Sequence, residues 1–404
     1  MSILERWSQP LRRHSDIAVV LLLFFTFRLM MLMVYPHDYV TVYGDYQHYF
    51  NVASMSDKGY LPFIHYWYEF PPIFPYLNLA IYWLAGATYK NYVLLMGLVL
   101  LMAEGGNLLL LYRIADYLHG RDKAIQLAWV YTALFVPLFF WRGTFDSLTT
   151  FLMLVALYAL LAQKRWLLAL SLGTGVMVKY IPAVLLPTVW RTRGLKTMLK
   201  ALAGVGVISA LLFGPFLVTS PQFSLASLQA QSRKASWETV WALVDGNPGT
   251  GSFGPLSDHL DPAKALNPLG NPSRIPAWVT LAIFGAVGLY IFTRPVKNPG
   301  LDPLIFATIT LVVFFLWSKG WSPQWQVYLI PLLLLALPLS RALLYIIGLG
   351  FVNFLEWPII YTRGLSALLP LTIISRTLIF VLLAWELYQQ LRRPAIPGTT
   401  EPEG

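Results

Sequence analysis

The sequence predicts an all-α, polytopic integral membrane protein, and three observations carry that reading. The 404-residue chain is 57% hydrophobic and only 12% charged, about half the charged share of a soluble domain. Its mean hydropathy is +0.60. Apolar runs approaching the thickness of a bilayer recur from residue 17 to residue 388, and a helix is the simplest backbone that satisfies its own polar groups in lipid. No stretch is long and polar enough to form a soluble domain.

The same composition excludes several classes of function. There are no cysteines, which removes disulfides, thiolate catalysis and cysteine-based metal sites. The six histidines are scattered, and no HExxH occurs, so no metal or other cofactor is implied. Nothing points to nucleic acid. The net charge of +10 reads as Lys- and Arg-rich cytoplasmic loops.

Each element follows from its apolar run and its flanks. Residues 17–36 form the first span; Arg12 and Arg13 precede it and no small-residue cleavage site follows, so it reads as an uncleaved anchor. Further apolar segments lie at 92–112, 124–141, 146–163, 166–178, 181–190, 201–218, 277–293, 303–317, 326–338, 342–356 and 366–388. Several fall short of the roughly 20 residues a span needs. The pair 166–178 and 181–190, meeting at "VKYIP", reads as a hairpin of half-length helices.

Lys and Arg bias sets the sides. "YRIADYLHGRDK" (112–123), "QKR" (163–165), "RTRGLKTMLK" (191–200), "RPVK" (294–297), Arg341 and "RR" (392–393) are expected on the cytoplasmic side, as are both termini. This alternation works only if 71–88 does not cross, so that segment is expected to lie in the outer interface, opened by "PP". Residues 1–390 then form a single transmembrane domain and 391–404 a cytoplasmic tail. The outward segments are 37–91, "WRGTFDS" (141–147), the "VKY" corner near 179, 219–276 and "WSKGWSPQW" (317–325). Residues 219–276, rich in Gly, Pro, Ser and Asn, show no apolar periodicity and read as a mobile covering loop.

Unusual polar residues gather on those outward segments: Asp45, His48, Tyr68, Glu69, Arg142, Asp146, Lys179, Lys319 and Gln324. Charge at membrane depth costs about 2.5–3.5 kcal/mol on insertion scales and tends to mark function. A carboxylate can deprotonate an attacking hydroxyl, lysine and arginine can hold a phosphate leaving group, and aromatic faces can stack on sugar or lipid. Blander roles compete. Asp45 and Asp146 could cap helices, Lys179 could snorkel, Glu69 could be a solvated interfacial residue, and His48 could belong to an aromatic belt. Glu104, mid-span, reads as a polar contact between helices; Arg28 and Arg376 read as internal ion-pair partners.

Taken in order, "GDYQHYF…GYLPF…YEFPPIFPYL", "RGTFDSLTTFLMLVALYAL", "LSLGTGVMVKYIPAVLLP" and "SKGWSPQWQVYLIPLL" resemble the GT-C superfamily of polyprenyl-phosphate-sugar-dependent glycosyltransferases. The likeness is strongest to GPI mannosyltransferase I catalytic subunits and bacterial polyprenol-phosphate-mannose-dependent mannosyltransferases. It runs from residue 15 to about residue 340.

The resemblance implies a GT-C-type fold of about 10–13 membrane helices, with interfacial helices in the first outward loop. It implies inverting transfer of a hexose, mannose first, from a polyprenyl-phosphate donor to a lipid, glycan or protein acceptor on the outer face. The catalytic base it implies is Asp45, with Glu69 the second catalytic candidate. Here Tyr46 follows Asp45 where many relatives carry a second acid, and Phe70 stands where some carry a cation; phosphate binding then falls to Lys179, Lys319 or Arg142. The competing class is a transporter or lipid-linked-sugar flippase, which would show repeated halves with broken helices at mid-membrane. No internal repeat is visible.

Overall fold

The computed structural model describes residues 3–37, 44–267 and 269–392. Residues 38–43 of the segment 37–91 and residues 393–404 of the expected tail lie outside the described residues. Within them the chain is helical, without a strand; two isolated bridges, Pro62 with Tyr66 and Trp237 with Gly320, are the extended pairings found.

Five helical stretches are long and apolar enough to cross a membrane: Ser15–Val34, Tyr89–His119, Leu195–Thr219, Leu339–Ile360 and Ser366–Arg392. Shorter apolar helices at Ile73–Leu84, Asp146–Leu161, Arg165–Val178, Ala277–Phe292, Asp302–Trp317 and Pro323–Ala336 pack among them. The protein is therefore an all-α polytopic membrane protein, as its composition predicts. Ile73–Leu84, at 12 residues, is about 18 Å long, too short to cross a bilayer by itself.

The first helix, α1 (Ile3–Val34), shows how one element divides between core and lipid. Ile17, Val20, Phe24 and Arg28 are buried, while Val19, Leu22, Leu23 and Met30 are exposed. The buried set recurs at three- and four-residue steps, one stripe of a helix. Arg28 lies on that stripe with its guanidinium 3.6 Å from the centre of the Phe24 ring. Glu104, on α2 (Tyr89–His119), accepts hydrogen bonds from Asn107 at 2.9 Å and Tyr131 at 2.8 Å. It is thus a polar contact between helices, since Tyr131 belongs to the next helix, Arg121–Ala133.

Three expectations change. The basic segment 112–123 is no loop: α2 continues to His119, and Gly120 alone turns the chain into the next helix. Gly194 does the same inside 191–200. Both glycines sit at φ +82°, where a Cβ is disfavoured, so one residue makes the corner. The expected span 124–141 breaks at Leu134 into Arg121–Ala133 and Phe135–Phe140. Residues 219–276 carry helices at Pro221–Arg233 and Val240–Asp245 and short turns at Leu256–His259 and Pro262–Leu266. Their short, Gly- and Pro-interrupted pieces leave no period to read along the sequence.

Two features fix the outward segments relative to one another. Gly44 lies so close to Gly143 that a Cβ there would meet the Gly143 carbonyl oxygen at 2.4 Å, and the Asp45 N–H donates to that oxygen at 2.9 Å. The chain between helices Arg165–Val178 and Leu186–Arg193 turns at Lys179, which is in extended conformation. Both expected half-length helices are present, and the corner aims the Lys179 side chain inward.

Arg376 pairs with Glu356 at 2.7 Å, both side chains buried, and also donates to the Glu238 carbonyl. It joins the last helix to the one before it and to the outward segment. Replacing Arg376 by Met leaves Glu356 buried without its partner, an error that costs about 3–5 kcal/mol. Arg376→Met in detergent should melt well below the parent, and Arg376→Met with Glu356→Gln should recover much of the loss. Equal melting temperatures for parent and single variant would show that the pair does not hold these helices.

Candidate functional site

The helix ends and connecting segments around Asp45, Asp146, Lys179 and Lys319 enclose a cavity of about 610 Å³. Asp45, Glu69, Asp146, Lys179, Lys319 and Gln324 line it, together with Lys234, Trp237, Phe253, Phe314, Trp317 and Trp325. Three carboxylates and three ammonium groups thus share one space with an aromatic wall.

Asp45 occupies the cap position of the helix Tyr46–Ala53, yet its side chain makes no capping bond. Its Oδ2 accepts from the Tyr49 hydroxyl at 3.0 Å. Burial raises its pKa from 3.8 to about 6; the Tyr49 hydrogen bond lowers it, Asp146 raises it, and Lys179 and Lys234 lower it. A carboxyl titrating near neutrality and facing a cavity can accept a proton and still be ionised at pH 7. The rings around it fix its place. Phe74 and Phe145 stack with centroids 3.6 Å apart, and Tyr49 meets Phe74 edge-on at 4.8 Å.

Asp146 and Lys179 form an ion pair at 2.5 Å, with side chains only 2% and 12% exposed. Tyr328 also donates to Asp146. Asp146 is the first residue of the helix Asp146–Leu161, with Phe145 in the cap position, so it does not cap a helix starting at Ser147; its charge still suits that helix's positive end. Lys179 does not snorkel outward. Its ammonium lies 5.1 Å from the Phe145 ring centre, 5.5 Å from Trp325 and 5.7 Å from Phe70.

Glu69 pairs with Lys234 at 3.0 Å, and Lys234 lies 4.9 Å from the Phe253 ring centre and 5.0 Å from Trp237. This pair joins the first outward loop to the covering segment. Lys319 lines the cavity without a carboxylate partner among the described residues. Its carbonyl accepts from Trp237 N–H at 3.1 Å and Thr239 Oγ1 at 2.8 Å, so its backbone is fixed while its side chain remains available.

His48, Tyr68 and Arg142 are outside the cavity lining. His48 stacks on the back of Phe253 at 4.1 Å. Burial first, then His259 and Lys234, lower its pKa to about 3, so it is neutral at physiological pH. Tyr68 is buried, with its N–H donating to Ser227 Oγ at 2.9 Å. Burial lowers the pKa of Arg142, against the influence of Tyr46 and Tyr35. Sequence reasoning missed Lys234, Trp237 and Phe253, because 219–276 was read as a cover rather than a wall. The signal was "RKASW", a cation and a tryptophan three residues apart directly after a helix. It also missed Tyr328, which stands within the quoted "SKGWSPQWQVYLIPLL" but three residues past the segment "WSKGWSPQW" (317–325) searched for polar groups.

The family model of Glycosyltransferase family 87 matches residues 67–323, well over half of the chain. The matched range takes in Glu69, Asp146, Lys179, Lys234 and Lys319 and begins downstream of Asp45. No curated protein matches the chain. Between transfer and transport, the family decides for transfer: this is a membrane glycosyltransferase. With its apolar helices and its cavity of paired charges at their ends, the chain belongs to glycosyltransferase family 87.

Proposed function

We propose that the protein moves a hexose, mannose first, from a polyprenyl-phosphate donor to an acceptor on the outer face of the membrane, with inversion and with Asp45 as general base. The observation that carries this is the cavity itself: a carboxyl with a pKa near 6 shares it with the unpaired Lys319 and an aromatic, apolar wall. An amphiphilic anion fits such a wall and cation, and a hydroxyl fits the base. The GT-C pattern read along the sequence supports the same donor class.

The step balances simply. The acceptor O–H gives its proton to Asp45 Oδ, and the oxygen attacks the anomeric carbon from the face opposite the phosphate. The anomeric carbon–oxygen bond breaks, and its electron pair leaves with the polyprenyl phosphate. Lys319, and Lys179 beyond it, stabilise the growing phosphate charge. The phosphate is already a good leaving group, so only the acceptor needs a base. Glu69, tied to Lys234, is the reserve candidate for that role.

The pH dependence follows from Asp45. Its raised pKa means the base is ionised above about pH 6 and protonated below it, so kcat/KM should fall as pH drops through about 6. Asp45→Asn should lose about 10²–10⁴-fold in transfer, the usual contribution of a positioned base. Its folded state should melt no lower at neutral pH, because a buried group whose pKa is raised on folding costs stability when ionised. Transfer from radiolabelled polyprenyl-phosphate sugar in membranes, with thermal stability alongside, tests both. Turnover above about a tenth of the parent removes Asp45 from the role and points to Glu69.

The two lysines should separate. Lys319→Met should weaken polyprenyl-phosphate binding by a few kcal/mol and leave the melting temperature in place. Lys179→Met should lower the melting temperature, since it strands Asp146. Unchanged donor binding in Lys319→Met would reject that assignment.

Topology is tested on the natively cysteine-free chain. Single cysteines at positions 57 and 264 should react with an impermeant thiol reagent in intact cells, and one at 196 should not. The opposite pattern would invert the proposed orientation, in which both termini are cytoplasmic.

A further inference from the structure

A second cavity, of about 280 Å³, adjoins the first. Resting on the reading above, we infer that it is the acceptor subsite and that it takes the saccharide end of a glycan. It is built entirely from the outward segments 67–69 and 230–270, with no residue of a long apolar helix. Its chemistry differs from that of the reaction cavity. There, the wall toward the helices is apolar and aromatic. Here, Ser252, Asp258 and Lys264 offer a hydroxyl, a carboxylate and an ammonium beside the rings of Trp67 and Trp237. Neither charged group has a side-chain partner among the described residues, and Ser252 Oγ is used only as an acceptor from the Gly254 N–H. Aromatic rings with unspent hydrogen-bonding groups suit a ring that has apolar faces and a hydroxylated rim.

The two cavities share one wall. Glu69, Lys234, Trp237 and Phe253 line both, so a ligand in the second space abuts the Glu69–Lys234 pair on the side opposite Asp45's chamber. Gly251 stands at the same junction. A side chain there would meet the Trp237 ring at 3.1 Å, so the shared wall has no room for one at this point. The acceptor then arrives from the aqueous side while the donor lies along the apolar wall, and the two substrates do not compete for one opening.

Gly249 lines only the second cavity. A Cβ built on it meets nothing within 4 Å, so a larger side chain can fill the space without displacing the fold. Saturation-transfer NMR on protein in nanodiscs, free of sugar-headed detergent, would use methyl hexosides and disaccharides of mannose, glucose and galactose as probes. At least one should bind the parent and Gly249→Ala, and binding should vanish in Gly249→Trp. No binding by any panel sugar, or equal binding by Gly249→Trp, overturns the assignment. Polyprenyl-phosphate binding is measured in parallel; its absence from the parent counts against the proposed donor and not against this subsite. In the transfer assay the best-binding disaccharide is offered free and attached to a lipid. A higher kcat/KM for one form says whether the glycan is free or lipid-borne, and Gly249→Trp should raise KM by about tenfold or more for both. An unchanged KM for the lipid-borne form would mean that the acceptor enters through the membrane, and the subsite would be rejected.

Discussion

A lysine and an aspartate, 2.5 Å apart and almost wholly out of water, are the constraint on which the cavity end of the molecule is assembled. Neither charge could be buried alone without a large desolvation penalty. Together they tie the corner between two half-length helices to the first turn of a third, and Tyr328 brings in a fourth element through the same carboxylate. The aromatic rings around Lys179 exclude water from the pair, and two of them, Phe70 and Trp325, also form part of the cavity wall. The scaffold and the electrostatics of the site therefore have one origin. The field that Asp45 experiences, and hence the pH at which it ionises, depends partly on where this pair sits.

The fold was legible because a membrane protein writes its structure in composition. Apolar length marks the helices and basic residues mark the turns between them, and both are one-dimensional signals. The boundaries that were missed are places where that signal is blind. Gly120 and Gly194 end helices by a single backbone rotation, so residues that look like a polar loop remain helical up to the glycine. The covering segment shows the opposite case: its helices are too short and too interrupted for any period to emerge, and its order comes from contacts far away in sequence, such as Trp67 Nε1 donating to the Asp258 and Asp261 carbonyls.

The site was half legible for a related reason. Asp45, Glu69, Asp146, Lys179, Lys319 and Gln324 were found because charge and amide groups beside aromatic runs are conspicuous in an apolar chain, and the cavity brings all six together. Which charges are paired could not be read. Pairing separates the three lysines: Lys179 and Lys234 are committed to carboxylates, whereas Lys319 has no carboxylate partner among the described residues. His48 looked equivalent to the others by position. One turn of helix places it behind Phe253, where it supports the wall. Lys234 was overlooked because it lies in a segment without membrane depth, where a lysine is unremarked.

The contact between Gly44 and Gly143 bears on how such a site can diverge. The loop that carries Asp45 is seated against the next outward turn by main chain on main chain, with a peptide N–H and a carbonyl as its fastening. Neighbouring side chains have little say in that seat. A lineage could therefore exchange the exposed loop residues, and with them the substrates it meets, while the carboxylate stays where it is. The freedom ends at the two glycines: one methyl group at Gly44 would lift the loop off its support, so the seat of the Asp45 carboxylate is protected by residues with no chemistry of their own.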